Sequence, residues 1–141
     1  MEILPADAYF VTVVTRDRLP LLLCGEIPEY VEEALEHISG IDLDVFGYVL
    51  MPDHIHFMVR TSPRHLNRAI ASFKRYTGRR ISEEVCLPRP WQKRFWLICM
   101  AGAKMVDQRA DYMLENPLRA GLVADLGDWP YSYWGTRWIR D

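Results

Sequence analysis

Leu43-Asp-Val-Phe-Gly-Tyr-Val-Leu-Met-Pro-Asp-His-Ile-His-Phe-Met-Val-Arg60 holds two β-rich runs on either side of Pro52-Asp53. Leu43 to Met51 reads as a strand, and Gly47 inside it suggests a bulge or a close approach. Pro52-Asp53 is turn chemistry. His54 to Arg60 reads as the next strand, and two strands joined so tightly form an antiparallel hairpin. On a strand, side chains at i and i+2 share a face. His54 and His56 therefore stand side by side, with Ile55 turned the other way into a core. Two neutral imidazoles can hold a divalent metal if a carboxylate, amide or water completes the shell. A metal so held can grip a phosphate oxygen during bond exchange. A His-x-His pair is more often only a polar strand face, so the reading needs support elsewhere in the chain.

Working outward, Tyr9-Phe-Val-Thr-Val-Val-Thr15 is rich in β-branched and aromatic residues and reads as a buried strand. Glu29 to Ile38 reads as a helix, with Tyr30, Val31, Ala34, Leu35 and Ile38 at helical spacing. Ser62 is a candidate N-cap and Pro63 suits the first turn of a long helix that Cys86-Leu-Pro88 ends. Leu66, Ile70, Phe73 and Ile81 form its apolar stripe. Arg64, Arg68, Arg75 and Arg79 lie along another face. Gly78 weakens this helix midway. Trp91 to Met100 reads as a strand, Val106 to Asn116 as a third helix, and Pro117 to Val123 as a short helical turn or a loop. Trp129 to Trp134 reads as an irregular aromatic segment packed on the body. The order β-α-β-β-α-β-α predicts an α+β fold. A ferredoxin-like antiparallel sheet would carry helices on one face, plus an extra C-terminal helix bearing Tyr112. The strand with the histidines would be central.

The chain has 141 residues, so one domain over 1–141 is expected, with enough length for a core. Half of it is hydrophobic and 12% aromatic, which fits a folded globular protein. No apolar run approaches a membrane span, and Met1-Glu-Ile-Leu-Pro5 has no signal-peptide pattern. Cys24, Cys86 and Cys99 form no C-x-x-C pair and read as reduced thiols, so a cytoplasmic location is expected. The net charge of −2 hides a segregation. Residues 60–94 hold ten basic side chains against two acids, Glu83 and Glu84. Such a segment is an electrostatic footprint for phosphate.

Downstream lies Tyr112-Met-Leu-Glu-Asn-Pro-Leu-Arg-Ala-Gly-Leu-Val123. Tyr112 and Asn116 are i and i+4, so on a helix they share a face. A residue before proline is pushed from α geometry, which puts Asn116 at the helix end. A phenol is a poor nucleophile unaided. Beside a metal-bound phosphate it can attack in line and form a covalent phosphotyrosine.

Together these pieces resemble the tyrosine-type HUH transposases, named for His, hydrophobic residue, His. Within them the chain looks most like the transposase-like proteins associated with repetitive extragenic palindromes. The resemblance rests on Thr12 to Pro20, Tyr48 to His56, Trp91-Gln-Lys-Arg-Phe95, Tyr112 to Val123 and Trp129-Pro-Tyr-Ser132, which together span most of the chain. It implies a metal-dependent single-strand DNA endonuclease and strand transferase. His54 and His56 would ligate Mg²⁺ or Mn²⁺, with Asn116 the candidate third ligand. Tyr112 would attack a DNA phosphate, leaving a 5′-phosphotyrosine and a free 3′-hydroxyl. Relatives recognise a DNA hairpin through a basic surface. Arg64, Arg68, Lys74, Arg75, Arg79 and Arg80 match that role by charge. Asp53 stands where the family usually has Asn, and adds a carboxylate beside the histidines. The Phe95-Trp-Leu-Ile98 segment also departs from the usual polar sequence.

Two other readings compete. One is a domesticated hairpin-DNA-binding module with little or no catalysis. The other is a hydrolase of small phosphate esters using His54, His56 and Asp53 as ligands. The sequence leaves open a homodimer, and whether Tyr112 serves its own subunit's histidines or a partner's.

Overall fold

The computed structural model describes residues 8–40 and 43–135. Met1–Pro5, read above for a signal pattern, lies outside them. Strand β1 (Ala8–Val14) leads to helix α1 (Ile27–Ile38), and strands β2 (Leu43–Leu50) and β3 (His54–Thr61) form the hairpin. Helix α2 (Pro63–Val85), strand β4 (Trp96–Met100), helix α3 (Gly102–Leu114), the single turn α4 (Asn116–Arg119) and strand β5 (Ser132–Trp134) follow. Among the described residues the sheet runs β4-β1-β3-β2-β5, every neighbouring pair antiparallel. The histidine strand β3 is thus the middle one, hydrogen-bonded on both sides. This is the expected α+β, ferredoxin-like sheet.

Alternation along the strands feeds two cores, one on each side of the sheet. Val11, Val13, Ile55, Phe57 and Val59 face α1 and α2. Phe10, Met58 and Met100 face α3 through Val106, Ala110 and Met113. Helix α2 buries Leu66, Ile70, Phe73, Thr77 and Ile81. Each large apolar side chain of that stripe contributes roughly 1.5–3 kcal/mol by leaving water. The helix runs on through Gly78. Ser62 holds the N-cap position, but its hydroxyl pairs with His65 Nδ1 at 2.8 Å instead of capping a backbone N–H. Among the described residues, no helix is long and apolar enough to cross a membrane.

The bulge at Gly47 is real, since the β2–β3 register shifts between Val45 and Gly47. A Cβ there would come within 2.8 Å of the Trp134 ring, so only glycine allows the approach.

The largest differences from expectation fall in the second half of the chain. The strand read over Trp91–Met100 begins only at Trp96. Residue Trp91 forms an isolated bridge with Thr15, and its indole donates to Thr77 Oγ1 at 2.9 Å. Lys74 Nζ donates to the carbonyls of Gln92 and Lys93, at 2.7 and 3.0 Å, and so takes acceptors that a sheet ladder would use. The third helix starts at Gly102 and stops at Leu114, and Asn116 opens α4 instead of closing α3. Pro117 has no N–H with which to continue the first helix. Last, Trp129–Trp134 is not wholly irregular, because Ser132–Trp134 pairs with Val49–Gly47 and covers the free edge of β2.

Candidate active site

The histidines project from β3 toward the α3 side, while Ile55 between them is fully buried on the other. Their ring centroids lie 4.6 Å apart at an interplanar angle of 70°. Each ring is held from behind. Asp53 Oδ1 lies 2.7 Å from His54 Nδ1. A carboxylate only accepts, so neutral His54 carries its proton on Nδ1 and leaves the Nε2 lone pair free. Thr12 Oγ1 lies 2.8 Å from His56 Nδ1 and, when it accepts, sets the same tautomer. This arrangement fits a divalent cation: two oriented imidazoles, each with one nitrogen free and the other fixed by an oxygen. Among the described residues, no group of three His, Cys, Asp or Glu side chains forms a metal cage.

Burial disfavours the charged form of both rings. His56 is pushed down to about 3, first by burial, then by the charges of His54, Arg109, Arg119 and Arg18. Burial also lowers His54, outweighing the pull of Asp53. Burial tends to raise Asp53, but its hydrogen bond to His54 and the charges of His54 and Arg18 win and hold it below the usual carboxylate range. Arg18 Nε reaches Asp53 Oδ2 at 3.2 Å. With His54 and Arg18 as its partners, Asp53 is an orienting carboxylate behind the pair. That geometry weakens the small-ester reading, which needed Asp53 as a ligand.

Tyr112 sits near the end of α3, 47% exposed, its ring centroid 6.5 Å from that of His56. Nucleophile candidate and histidines thus come together within one chain. Two guanidinium groups flank the phenol. Arg119 Cζ lies 4.1 Å from the ring centroid, and Arg109 Cζ lies 5.6 Å from it. Arg119 also donates to the Tyr112 carbonyl and pairs with Glu115 at 3.5 Å. Asn116 is half-buried at the start of α4, and its carbonyl accepts from Ala120 N–H at 2.9 Å. A buried and a partly buried histidine, a half-exposed phenol and two cations make a site suited to a phosphodiester.

The sequence profile of the family described as "Transposase IS200 like" matches residues 7–113, and so includes both histidines and Tyr112. The chain belongs to this family. Among IS200-like relatives, a Haemophilus influenzae protein assigned as a REP-associated tyrosine transposase is 28% identical over 136 residues. That match covers 88% of this chain and 77% of the relative. The REP-associated tyrosine transposase of Escherichia coli K12 is 26% identical over 124 residues, covering 88% of this chain and 74% of that one. A solved REP-associated tyrosine transposase bound to a REP hairpin superposes with a TM-score of 0.75 at 22% identity. It covers 94% of this chain and 79% of that one, and it supports the IS200-like fold.

The basic residues on α2 lie elsewhere. Arg64, Arg68, Arg75 and Arg79 are exposed on the helix layer that covers the opposite side of the sheet from the histidines. Arg68 and Arg75 line an open groove of about 610 Å³ with His37, His65 and Ser72. Lys74 is held by its two carbonyl partners, and Arg80 stacks on Tyr30 with Cζ 4.2 Å from the ring centroid. The residues that sequence reasoning missed are Thr12, Arg18, Arg109 and Arg119. Arg119 stood within the quoted Tyr112–Val123 stretch, and Arg109 is three residues before the tyrosine. Spacing alone assigned neither a task.

Proposed function

We propose that this IS200-like transposase is a metal-dependent single-strand DNA endonuclease and strand transferase that acts on palindromic hairpin repeats. The observation that carries this reading is the Tyr112 ring lying 6.5 Å from that of His56, itself 4.6 Å from His54, in the same chain. A divalent cation at the pair, Mg²⁺ or Mn²⁺, would supply charge neutralisation at a phosphate oxygen. Asp53 and Thr12 hold the two rings in the orientation that leaves Nε2 free, and Asn116 is the candidate for a third protein ligand. Arg109 and Arg119 draw a phosphate toward the phenol and offset the charge that builds on it.

Tyr112 Oη then attacks the phosphorus. The P–O3′ bond breaks as the P–Oη bond forms, the phenolic proton leaves, and the 3′-oxygen departs to become a hydroxyl. The product is a 5′-phosphotyrosine and a free 3′-end. Attack by a second 3′-hydroxyl reverses the exchange and rejoins DNA without a nucleotide cofactor. The hairpin partner is supported by the similar fold that was solved with a REP hairpin.

The test is incubation with Mn²⁺ and a hairpin DNA bearing single-stranded flanks. An adduct that survives SDS is expected from the wild type and absent from Tyr112→Phe. An adduct of equal yield in Tyr112→Phe would remove this residue from the mechanism.

A further inference from the structure

Beyond the histidines and Tyr112, one exposed aromatic stands in line with the site. Trp96 opens β4 and pairs with Thr12 of β1, which in turn pairs with His56 of β3. The three residues form one row across the sheet. The hydroxyl of Thr12 on the His56 ring shows which face that row presents. Trp96 shares it, because Ile98 and Met100, two and four residues on, pack into the α3-side core. Neighbouring strands lie about 4.8 Å apart, so the Trp96 backbone sits roughly 10 Å from that of His56.

The side chains of α3 cover Ile98 and Met100 but leave Trp96 51% exposed. An open indole on an edge strand is unusual, since such edges are normally blunted with charge. Cations lie close to it along the chain and on the same face of the sheet. Lys93 and Arg94 are exposed just before β4. Arg109 lies over Phe10, the cross-strand partner of Ile98 two residues further along the same face, with Cζ 5.3 Å from the ring centroid. An aromatic face with flanking cations is the chemistry that holds an unstacked base and its phosphates.

We propose that Trp96 is a stacking platform for one nucleobase of the single strand whose phosphate sits at the His54–His56 pair. The proposal rests on the DNA-cleaving reading above. It adds a binding site for a nucleotide next to the scissile phosphate, on the β4 side of the histidines. Because every base has a π face, this contact holds the strand without choosing its sequence.

The experiment needs neither metal nor cleavage. In EDTA, on a Tyr112→Phe background, fluorescence anisotropy compares an oligothymidylate with an abasic deoxyribose-phosphate strand of equal length. Trp96→Ala should weaken the oligothymidylate about tenfold and leave the abasic strand unchanged. Trp96→Leu, which keeps apolar bulk, should lose as much, and Trp96→Phe should restore most of the affinity. Equal losses on both strands, or none on either, would overturn the proposal. So would sedimentation in which Trp96→Ala dissolves a dimer while both affinities stay fixed, because the indole would then cover a second copy. If the Tyr112 chemistry is wrong, the wild type fails the adduct assay while this base dependence survives.

Discussion

Thr12 Oγ1 and His56 Nδ1 meet at 2.8 Å across the β1–β3 ladder, where the two residues are directly paired. The hydroxyl occupies one ring nitrogen and leaves the other free. Thr12→Val keeps the shape and removes that oxygen. Affinity for Mn²⁺ should fall about ten- to a hundredfold, the usual scale for losing a partner behind a ligating histidine. Isothermal titration with Mn²⁺ measures it, and unchanged affinity would show that the hydroxyl does not orient the ring.

His54→Ala and His56→Ala should each cut adduct formation by at least about a hundredfold, the scale of a lost transition-state contact. EDTA should mimic both. Asn116→Ala should do less, because water can replace one neutral ligand. Full activity in EDTA would end the metal reading.

If Arg68 and Arg75 track phosphates, DNA affinity should fall with salt at a slope of roughly −0.7 per contact for single strands. The Arg68→Ala, Arg75→Ala double variant should flatten that slope and weaken all sequences alike, since phosphate contacts position without specifying. A salt titration of anisotropy with hairpin and linear DNA reads both. Loss confined to one hairpin would assign these arginines to base reading, and no loss would make their face a solvated surface.

Tyr48 gives a pH prediction away from the site. Its hydroxyl donates to Glu32 at 2.7 Å. Burial first, then that bond and the charges of Glu32, Glu36 and Tyr133, raise its pKa well above the ordinary phenol value. The folded state therefore keeps a proton that the unfolded chain releases near pH 10. Its contribution is full below that pH and is lost as the pH climbs toward the folded value. Tyr48→Phe should show a shallower loss of stability above about pH 10 than the wild type in urea unfolding. Parallel curves would show that Tyr48 ionises freely.

Where pattern is local, the sequence was legible. The period of two in Leu43–Arg60 revealed the hairpin and placed both histidines on one face. The spacing of Leu66, Ile70, Phe73 and Ile81 marked the buried stripe of α2. Misreadings arose where a distant partner decides. Nothing near Trp91 says that Lys74 will take the carbonyls of residues 92 and 93. Nothing near Tyr133 says that β2 lacks a neighbour. Arg119 reaches the Tyr112 ring because Pro117 ends one helix and starts another, a geometry that helical periodicity does not contain.

The basic helix face and the tyrosine lie on opposite sides of the sheet. A nucleic acid touching both cannot lie flat on the molecule. It has to turn around a rim, and the β4 rim, with Lys93 and Arg94 exposed just before that strand, offers a charged route. Reach then becomes a requirement of its own. A strand too short to round that rim would engage one surface or the other, and affinity would climb in two steps with oligonucleotide length instead of one.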